Sequence, residues 1–410
     1  LAGQVAPSSS MKDKALVLGA GIQGICCALA LRKKGYDVTL IDRSQEPFSQ
    51  TSMKGEAKIH LGYVYANDRS FRTASLLLKS AMHFGPLLDA WTNHQINWRS
   101  ICSTPFTYIV HRDSMVAVDT LQHHYDRIAV AYKAYQQQGL HYVGHSPSQL
   151  LTQCQPLPSY LNPLLARAAI ATPELAIQTQ LLKPVLIGAL QQEYVRFLPN
   201  RRVRTVERAP VGFRINGDTI TGQSWSDEGS IVVNCLWDGR LQLDSSLGLH
   251  PKQPWVYRLK HSLLGHLPQK LTHVASHTIV LGPFGDLVTY PDGLTYLSWY
   301  PTCLRGWSDQ LQPPDHWPNQ TQDPQSTQDW QQATLNALDA IVPGLRQFEI
   351  KQANAGVIFS WGETDIDDPD SLLHYRYNIG VNGFDGYFSV DTGKFTSAPY
   401  FAQSLIDQLG

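Results

Sequence analysis

The stretch ALVLGAGIQGICCALALRKKGYDVTLIDR, residues 15–43, decides the fold. Ala15–Leu18 reads as a buried strand. Ile22–Lys34 predicts a helix, closed by Gly35 at its C′ position. Val38–Ile41 is a second strand. Strand, helix and strand at this length open a parallel sheet. Between the first strand and the helix stands Gly19-x-Gly21-x-x-Gly24. The first glycine permits the tight turn, the second lets backbone approach a pyrophosphate, and the third lets helix and strand pack closely. The helix start at Ile22 and Gln23 offers free N–H groups and a partial positive charge to phosphates. Asp42 ends the second strand about 20 residues past the glycines, where a carboxylate accepts hydrogen bonds from ribose hydroxyls. Arg43 follows it, within reach of adenine, phosphate or solvent. Cys26, Cys27 and Leu29 are expected to face the sheet. This combination predicts dinucleotide binding.

Working outward, 410 residues exceed what one core holds and suit two domains. A net charge of −1 provides no field for gathering nucleic acid or acidic lipid. No apolar run approaches the roughly 20 residues of a membrane span. The six cysteines lack metal-ligand spacing and read as free thiols of a reducing compartment, so the expected location is cytoplasmic, with no metal. Residues 1–10, LAGQVAPSSS, are small and polar and read as a leader or tag remnant ahead of Met11.

Helical spacing marks Phe71–Trp91, Val118–Gln138, Ile177–Glu193, Trp330–Ile341 and Ala398–Leu409. Strands are expected at Thr104–Val110, Val195–Leu198, Val203–Glu207, Phe213–Ile215, Ile231–Cys235 and Tyr387–Val390. Trp255–Trp299 reads as an antiparallel meander, and Asp309–Asp329 as a long surface loop. Parallel-type elements therefore occur at the start, middle and end, with antiparallel pieces between. The expected class is α/β (α+β overall): a Rossmann-like dinucleotide domain with a mixed parallel sheet, from residues 11–80, 165–245 and 355–410. It is interleaved with an antiparallel-sheet substrate domain from residues 81–164 and 246–354.

The segment TSMKGEAKIHLGYVY, residues 51–65, is a long polar loop where nicotinamide dehydrogenases usually return to another helix. Here the chain resembles the D-amino acid oxidase-like flavoprotein superfamily, and within it the branch of glycerol-3-phosphate dehydrogenase and L-2-hydroxyglutarate dehydrogenase. Thr51-Ser52 and Ile59-His60-Leu61-Gly62 match that branch's Ser-rich stretch ending in Ile-His-x-Gly. IVVNCLWDGR, residues 231–240, resembles the family's "VVNAAG" strand end: Asn234 matches, whereas Cys235-Leu236-Trp237 depart from its small residues. DTGKFTSAPYFAQSL, residues 391–405, resembles the closing "GGK-hydrophobic-TT" turn and helix through Gly393, Lys394, Phe395 and Thr396. The resemblance implies FAD, held noncovalently, with His60 and Gly62 beside the isoalloxazine. It also implies backbone N–H groups of residues 393–396 at the N1–C2=O2 edge, where Lys394 adds positive charge. Val203 is counted among the cofactor contacts.

Around a flavin, protein groups position a C–H bond, move a proton and balance charge. His60 is the sharpest candidate, as base, ring partner or attachment point. In AGVIFSWGETDIDDPDSLLHYR, residues 355–376, the family's "AGxRP" becomes Ala355-Gly356-Val357-Ile358-Phe359, so its arginine is missing. His374, Tyr375 and Arg376 fall where the branch faces substrate, and Arg376 can grip a carboxylate or phosphate bidentately. The acids Glu363, Asp365, Asp367 and Asp368 read as a solvated loop, and Lys54 and Lys58 as solvated charges or flavin neighbours. In the meander, Tyr257, Arg258, Trp299 and Tyr300 are candidates for a pocket wall. The expected function is oxidation of a small polar substrate at a C–O bond, of a 2-hydroxy acid or polyol derivative, by hydride transfer to flavin N5, with oxygen or a quinone as acceptor. The alternatives are C–N oxidation of an amine or amino acid, a non-catalytic dinucleotide-binding scaffold, and an NAD-dependent dehydrogenase.

Overall fold

The structure is a computed structural model that describes residues 14–150, 152–282, 284–317 and 324–410. The expected leader at residues 1–10 lies outside them. Strand β1 (Lys14–Leu18) runs into helix α1 (Ile22–Lys33) and back to β2 (Asp37–Ile41). Gly35 adopts a φ of 99° just past the helix, the left-handed geometry that ends it without strain. β1 is central in a six-stranded sheet. The order is Gly380–Phe384, Tyr387–Asp391, Ile231–Asn234, β1, β2, Arg196–Leu198. All neighbours are parallel except the antiparallel pair at the 380–391 edge.

Alternation along β1 sorts its side chains to two faces. Ala15 and Val17 join the core under α1, Ala398–Leu409 and α2, the helix Arg72–Trp91. Leu16 and Leu18 pack with Val206, Phe213 and Ile215, which belong to a three-stranded antiparallel sheet on the opposite face. Cys26, Cys27 and Leu29 are fully buried, as the sequence suggests.

The second layer is a nine-stranded sheet around the long strand Trp255–His266. Glu349–Trp361 runs antiparallel along its whole length, and Leu304–Ser308 and Leu294–Trp299 share its other edge. The meander is antiparallel through Gly285–Thr289, but His277–Val280 also pairs parallel with Thr107–His111. Ala166–Ala171 and Glu349–Trp361 belong to this sheet, so the expected domain boundaries at 164/165 and 354/355 fall inside it. The boundary at 80/81 cuts α2, which packs against α1 and Ala398–Leu409. The expected loop at 309–329 also ends early. Pro324 opens a helix to Ile341, with proline at a position where its missing N–H costs nothing, and Trp330, Leu335, Leu338 and Ile341 face the core. Residues 318–323 lie outside the described set. Among the described residues no helix is long and apolar enough to cross a membrane.

Candidate active site

A cavity of about 750 Å³ runs between the two sheets, a size that suits a cofactor and a small substrate together. One end is the glycine turn. Gly19 has φ 94°, and a Cβ there would stand 2.5 Å from the Cys235 carbonyl oxygen. A Cβ on Gly24 would stand 1.7 Å from the Gly19 oxygen. Gly21 offers α1 no capping side chain, and the Ile22 N–H goes to Ser52 Oγ at 3.0 Å. Gly19, Gly21, Ile22, Gln23, Thr51, Ser52 and Val203 all line the cavity. Asp42 accepts the Ala20 N–H at 2.6 Å and the Ser44 N–H at 2.7 Å, which fixes its carboxylate at the wall. Arg43 donates to Asp238 at 2.6 Å, so it is tied to the loop after Ile231–Asn234.

The other end gathers charge. The ribbon β3 (Lys58–Ile59) leads into His60, whose N–H donates to Thr396 Oγ1 at 2.9 Å; Thr396 donates onward to the Lys58 carbonyl at 3.0 Å. Gly393, Lys394 and Phe395 line the wall beside it. Lys58 is buried, and its ammonium pairs with Asp286 at 2.7 Å. Arg258, 1% exposed at its side chain, pairs with Asp365 at 2.7 Å and also donates to Ser360 Oγ and the Tyr300 hydroxyl. Lys260 faces Glu56 at 3.9 Å. Arg376 and Lys394 are left: both line the cavity, and neither has a carboxylate within 4 Å among the described residues. Arg376 spends Nε on the Leu373 carbonyl and Nη1 on that of Phe359. Burial first, then the neighbouring Arg376, lowers the Lys394 ammonium to about 7. Burial, Lys394 and Lys58 push the His60 imidazole well down, so it is neutral at pH 7.

Several expected residues stand elsewhere. Tyr257 is buried on the opposite face of its strand, its hydroxyl donating to the Leu311 carbonyl, because neighbours in a strand point apart and Arg258, Lys260 and Ser262 take the cavity face. Trp299 fails for the same reason, packing with the second core cluster while Tyr300 lines the cavity. Tyr375 is 36% exposed and turned away, between His374 and Arg376, which do line the site. Asn234 braces the wall from behind, its amide donating to the Arg240 carbonyl, Asp244 and Tyr387. Gly24, Gly62 and Thr396 are likewise structural: a Cβ on Gly62 would stand 2.9 Å from the Ala74 Cα. Asp365 and Lys58 are not solvated charges but halves of buried pairs. The residues that the sequence did not single out are Tyr65, Glu56, Lys260, Asp286 and Glu174. The available signal was a lysine set within apolar or alternating strand residues, as at Lys58 and Lys260. Arg258 is in register with Ile358, so the neighbouring strand brings a guanidinium beside the position that lacks the expected arginine.

The Arg258–Asp365 pair yields a stability prediction. Asp365→Asn leaves a buried guanidinium without its counter-charge, which costs about 3 kcal/mol, the low end for a buried pair because the Asp365 side chain keeps 19% exposure. A fall in the urea midpoint at unchanged m-value is the expected reading.

The family described as DAO, FAD dependent oxidoreductase, matches residues 14–407. The chain belongs to this family. This DAO-family protein is thus an FAD-dependent oxidoreductase, and FAD fits the glycine cradle, the uncapped helix start and the long cavity. It is 44% identical over 50 residues to a D-amino acid dehydrogenase of Rhizobium johnstonii, a match covering 12% of each chain. Its fold is similar to glycine oxidase from Geobacillus kaustophilus, with TM-score 0.67 at 14% identity over 96% of this chain and 93% of that one. It is also similar to L-amino acid deaminase from Proteus vulgaris, with TM-score 0.65 at 14% identity over 100% and 96%. These findings overturn the expectation of C–O oxidation, since the matched proteins are named for amino acids. They also give no support to the narrower glycerol-3-phosphate and L-2-hydroxyglutarate dehydrogenase branch. The misreading has a physical source: the quoted loop and closing turn surround the cofactor, which both chemistries share.

Proposed function

We propose that this protein oxidises the C–N bond of a small amino or imino acid. Arg376 carries the reading: it is a partly buried guanidinium on the cavity wall that has no acidic partner among the described residues. A substrate carboxylate supplies the missing charge through a bidentate pair. FAD, when bound, supplies the two-electron acceptor for the C–H hydride. The Gly19–Gln23 turn, Ser52, Asp42 and Val203 would hold its nucleotide half, and residues 393–395, at the other end of the cavity, would hold its ring half. His60, uncharged and facing the same space, takes the proton that an ammonium substrate must lose before its nitrogen lone pair can assist. The paired charges Lys58–Asp286, Lys260–Glu56 and Arg258–Asp365 form a fixed polar wall that orients the substrate without adding net charge. The names of the matched proteins support the same class of substrate.

The test is anaerobic mixing of the flavin-loaded protein with D- and L-amino acids, N-substituted amino acids and the 2-hydroxy acids of the same carbon skeletons. Loss of the visible flavin band with an amino or imino acid, and not with its hydroxy counterpart, is expected. The reverse pattern would overturn the reading.

Lys394 adds a pH prediction. Its ammonium is charged below about 7 and neutral above. Affinity for a simple carboxylate ligand, read from the flavin spectrum, is therefore high at low pH and falls as pH rises through 7. A bound anion favours the charged form and extends the fall upward. Lys394→Met flattens this dependence and weakens low-pH binding by roughly 10- to 100-fold, the worth of one charge-assisted contact.

A further inference from the structure

Glu174 is completely buried, between the strands Ala166–Ala171 and Leu175–Ala176. The ribbon pairs Lys58 with Ala176 and Ile59 with Leu175, so one further step brings His60 opposite Glu174. Tyr142 clamps the ribbon: its hydroxyl donates to the Ile59 carbonyl at 2.6 Å and accepts the Leu175 N–H at 2.8 Å. Glu174 Oε2 accepts the Leu61 N–H at 2.6 Å, and Oε1 accepts the Tyr108 hydroxyl. His60 Nδ1 lies 3.8 Å from Oε1 and is buried without a hydrogen-bond partner. That gap is longer than a hydrogen bond, and catalytic hydrogen bonds often shorten only when a site tightens on its substrate.

Resting on the proposed C–N oxidation, we propose that Glu174 is the positioning residue of His60: it keeps the proton on Nδ1 and receives that proton when Nε2 accepts one from the substrate ammonium. The transfer balances. The substrate N–H proton moves to Nε2, the Nδ1 proton moves to Glu174 Oε1, and the products are a neutral amine, a neutral imidazole of the other tautomer and a carboxylic acid. No electrons move in this step. The surroundings suit it. Lys58 and Asp286 are the charged groups facing Glu174, with Tyr63, Tyr65, Tyr108, Tyr125 and Tyr142 around them. Burial raises the carboxyl to about 7 against the pull of Lys58. On the His60 side, Lys394, Lys58 and Arg376 disfavour an imidazolium and Glu56 favours one. A proton delivered to this ring is therefore better passed on than kept.

Two measurements test the pairing. In protein labelled with 15N-histidine, long-range 15N–1H spectra should show His60 protonated on Nδ1, its signal assigned by loss in His60→Gln. An Nε2-protonated His60 in the wild type overturns the proposal, whether or not any amine is a substrate. In anaerobic flavin reduction by an amino acid, the wild-type rate should fall below pH 7 as Glu174 becomes occupied. Glu174→Gln should lose that inflection and slow the step about 100-fold, with substrate affinity and flavin content retained. An unchanged pH profile and rate in Glu174→Gln would also overturn it. If no amino or imino acid bleaches the wild type, the functional reading fails, and the tautomer spectrum still judges the pairing by itself.

Discussion

Gly24→Ala purifies without its yellow colour. The added methyl must occupy a point 1.7 Å from the Gly19 carbonyl oxygen, which is backbone and has no rotamer to yield. Relief requires α1 to move away from β1, and that movement breaks the Ile22 N–H bond to Ser52 Oγ and displaces the helix start that would face the pyrophosphate. Gly19 cannot retreat, because its own Cβ position is already closed by the Cys235 carbonyl. The cost exceeds the usual 1–3 kcal/mol of an overpacked side-chain core, since backbone rather than side chains must shift. The expected reading is an absorption spectrum without bands near roughly 370 and 450 nm even after FAD is added, the visible signature of the cofactor. A Gly24→Ala protein that holds stoichiometric FAD would show that the helix start does not carry the pyrophosphate. Acid precipitation of the wild type adds a second reading from the same spectrum. Colour in the supernatant means noncovalent FAD, and colour in the pellet points to a bond at His60.

Arg376→Met produces the second large loss. Among the described residues its guanidinium meets no carboxylate and donates from Nε and Nη1 to the Leu373 and Phe359 carbonyls, so a bound carboxylate meets a cation already partly withdrawn from water. Truncating one half of such a pair costs 2–5 kcal/mol, so kcat/KM for a carboxylate substrate falls by about 30- to 4,000-fold. Most of the fall lies in KM, because the contact is present before the chemical step. Arg376→Lys restores part of it as a point charge without the bidentate geometry. FAD content stays unchanged. An unaltered KM in Arg376→Met would remove the carboxylate from this position and transfer the role to Arg258.

The two predictions differ in how far the sequence could support them. The glycine turn was legible because its constraints are local: each glycine answers to backbone within one βαβ unit. The cavity wall was only half legible. Alternation along Trp255–His266 shows that Tyr257 and Arg258 face opposite ways, but which face meets the cofactor depends on pairing with Glu349–Trp361, about a hundred residues away. Lys58 stayed open between a flavin neighbour and a solvated charge because Asp286, the partner that allows its burial, is 228 residues distant and joined only by folding. Glu174 left no mark, since an isolated glutamate before two apolar residues is unremarkable until the ribbon sets it against His60. The bond to be oxidised was misread because the motifs that resemble known flavoproteins touch FAD, whereas the groups that meet substrate are scattered over both sheets.

The order of strands in the six-stranded sheet has a consequence for biosynthesis. β1, α1 and β2 leave the ribosome early, yet the sheet is closed by Ile231–Asn234 and then by Tyr387–Asp391, and the ring end of the cavity needs residues 393–395. The glycine turn therefore exists as a nascent peptide long before it has a complete pocket beneath it. Cofactor capture must wait until residue 395 has been translated and docked. From the synthesis of Asn234 until Tyr387–Asp391 docks, the growing chain carries an open edge at Ile231–Asn234, which invites mispairing and makes this strand a natural client site for chaperones.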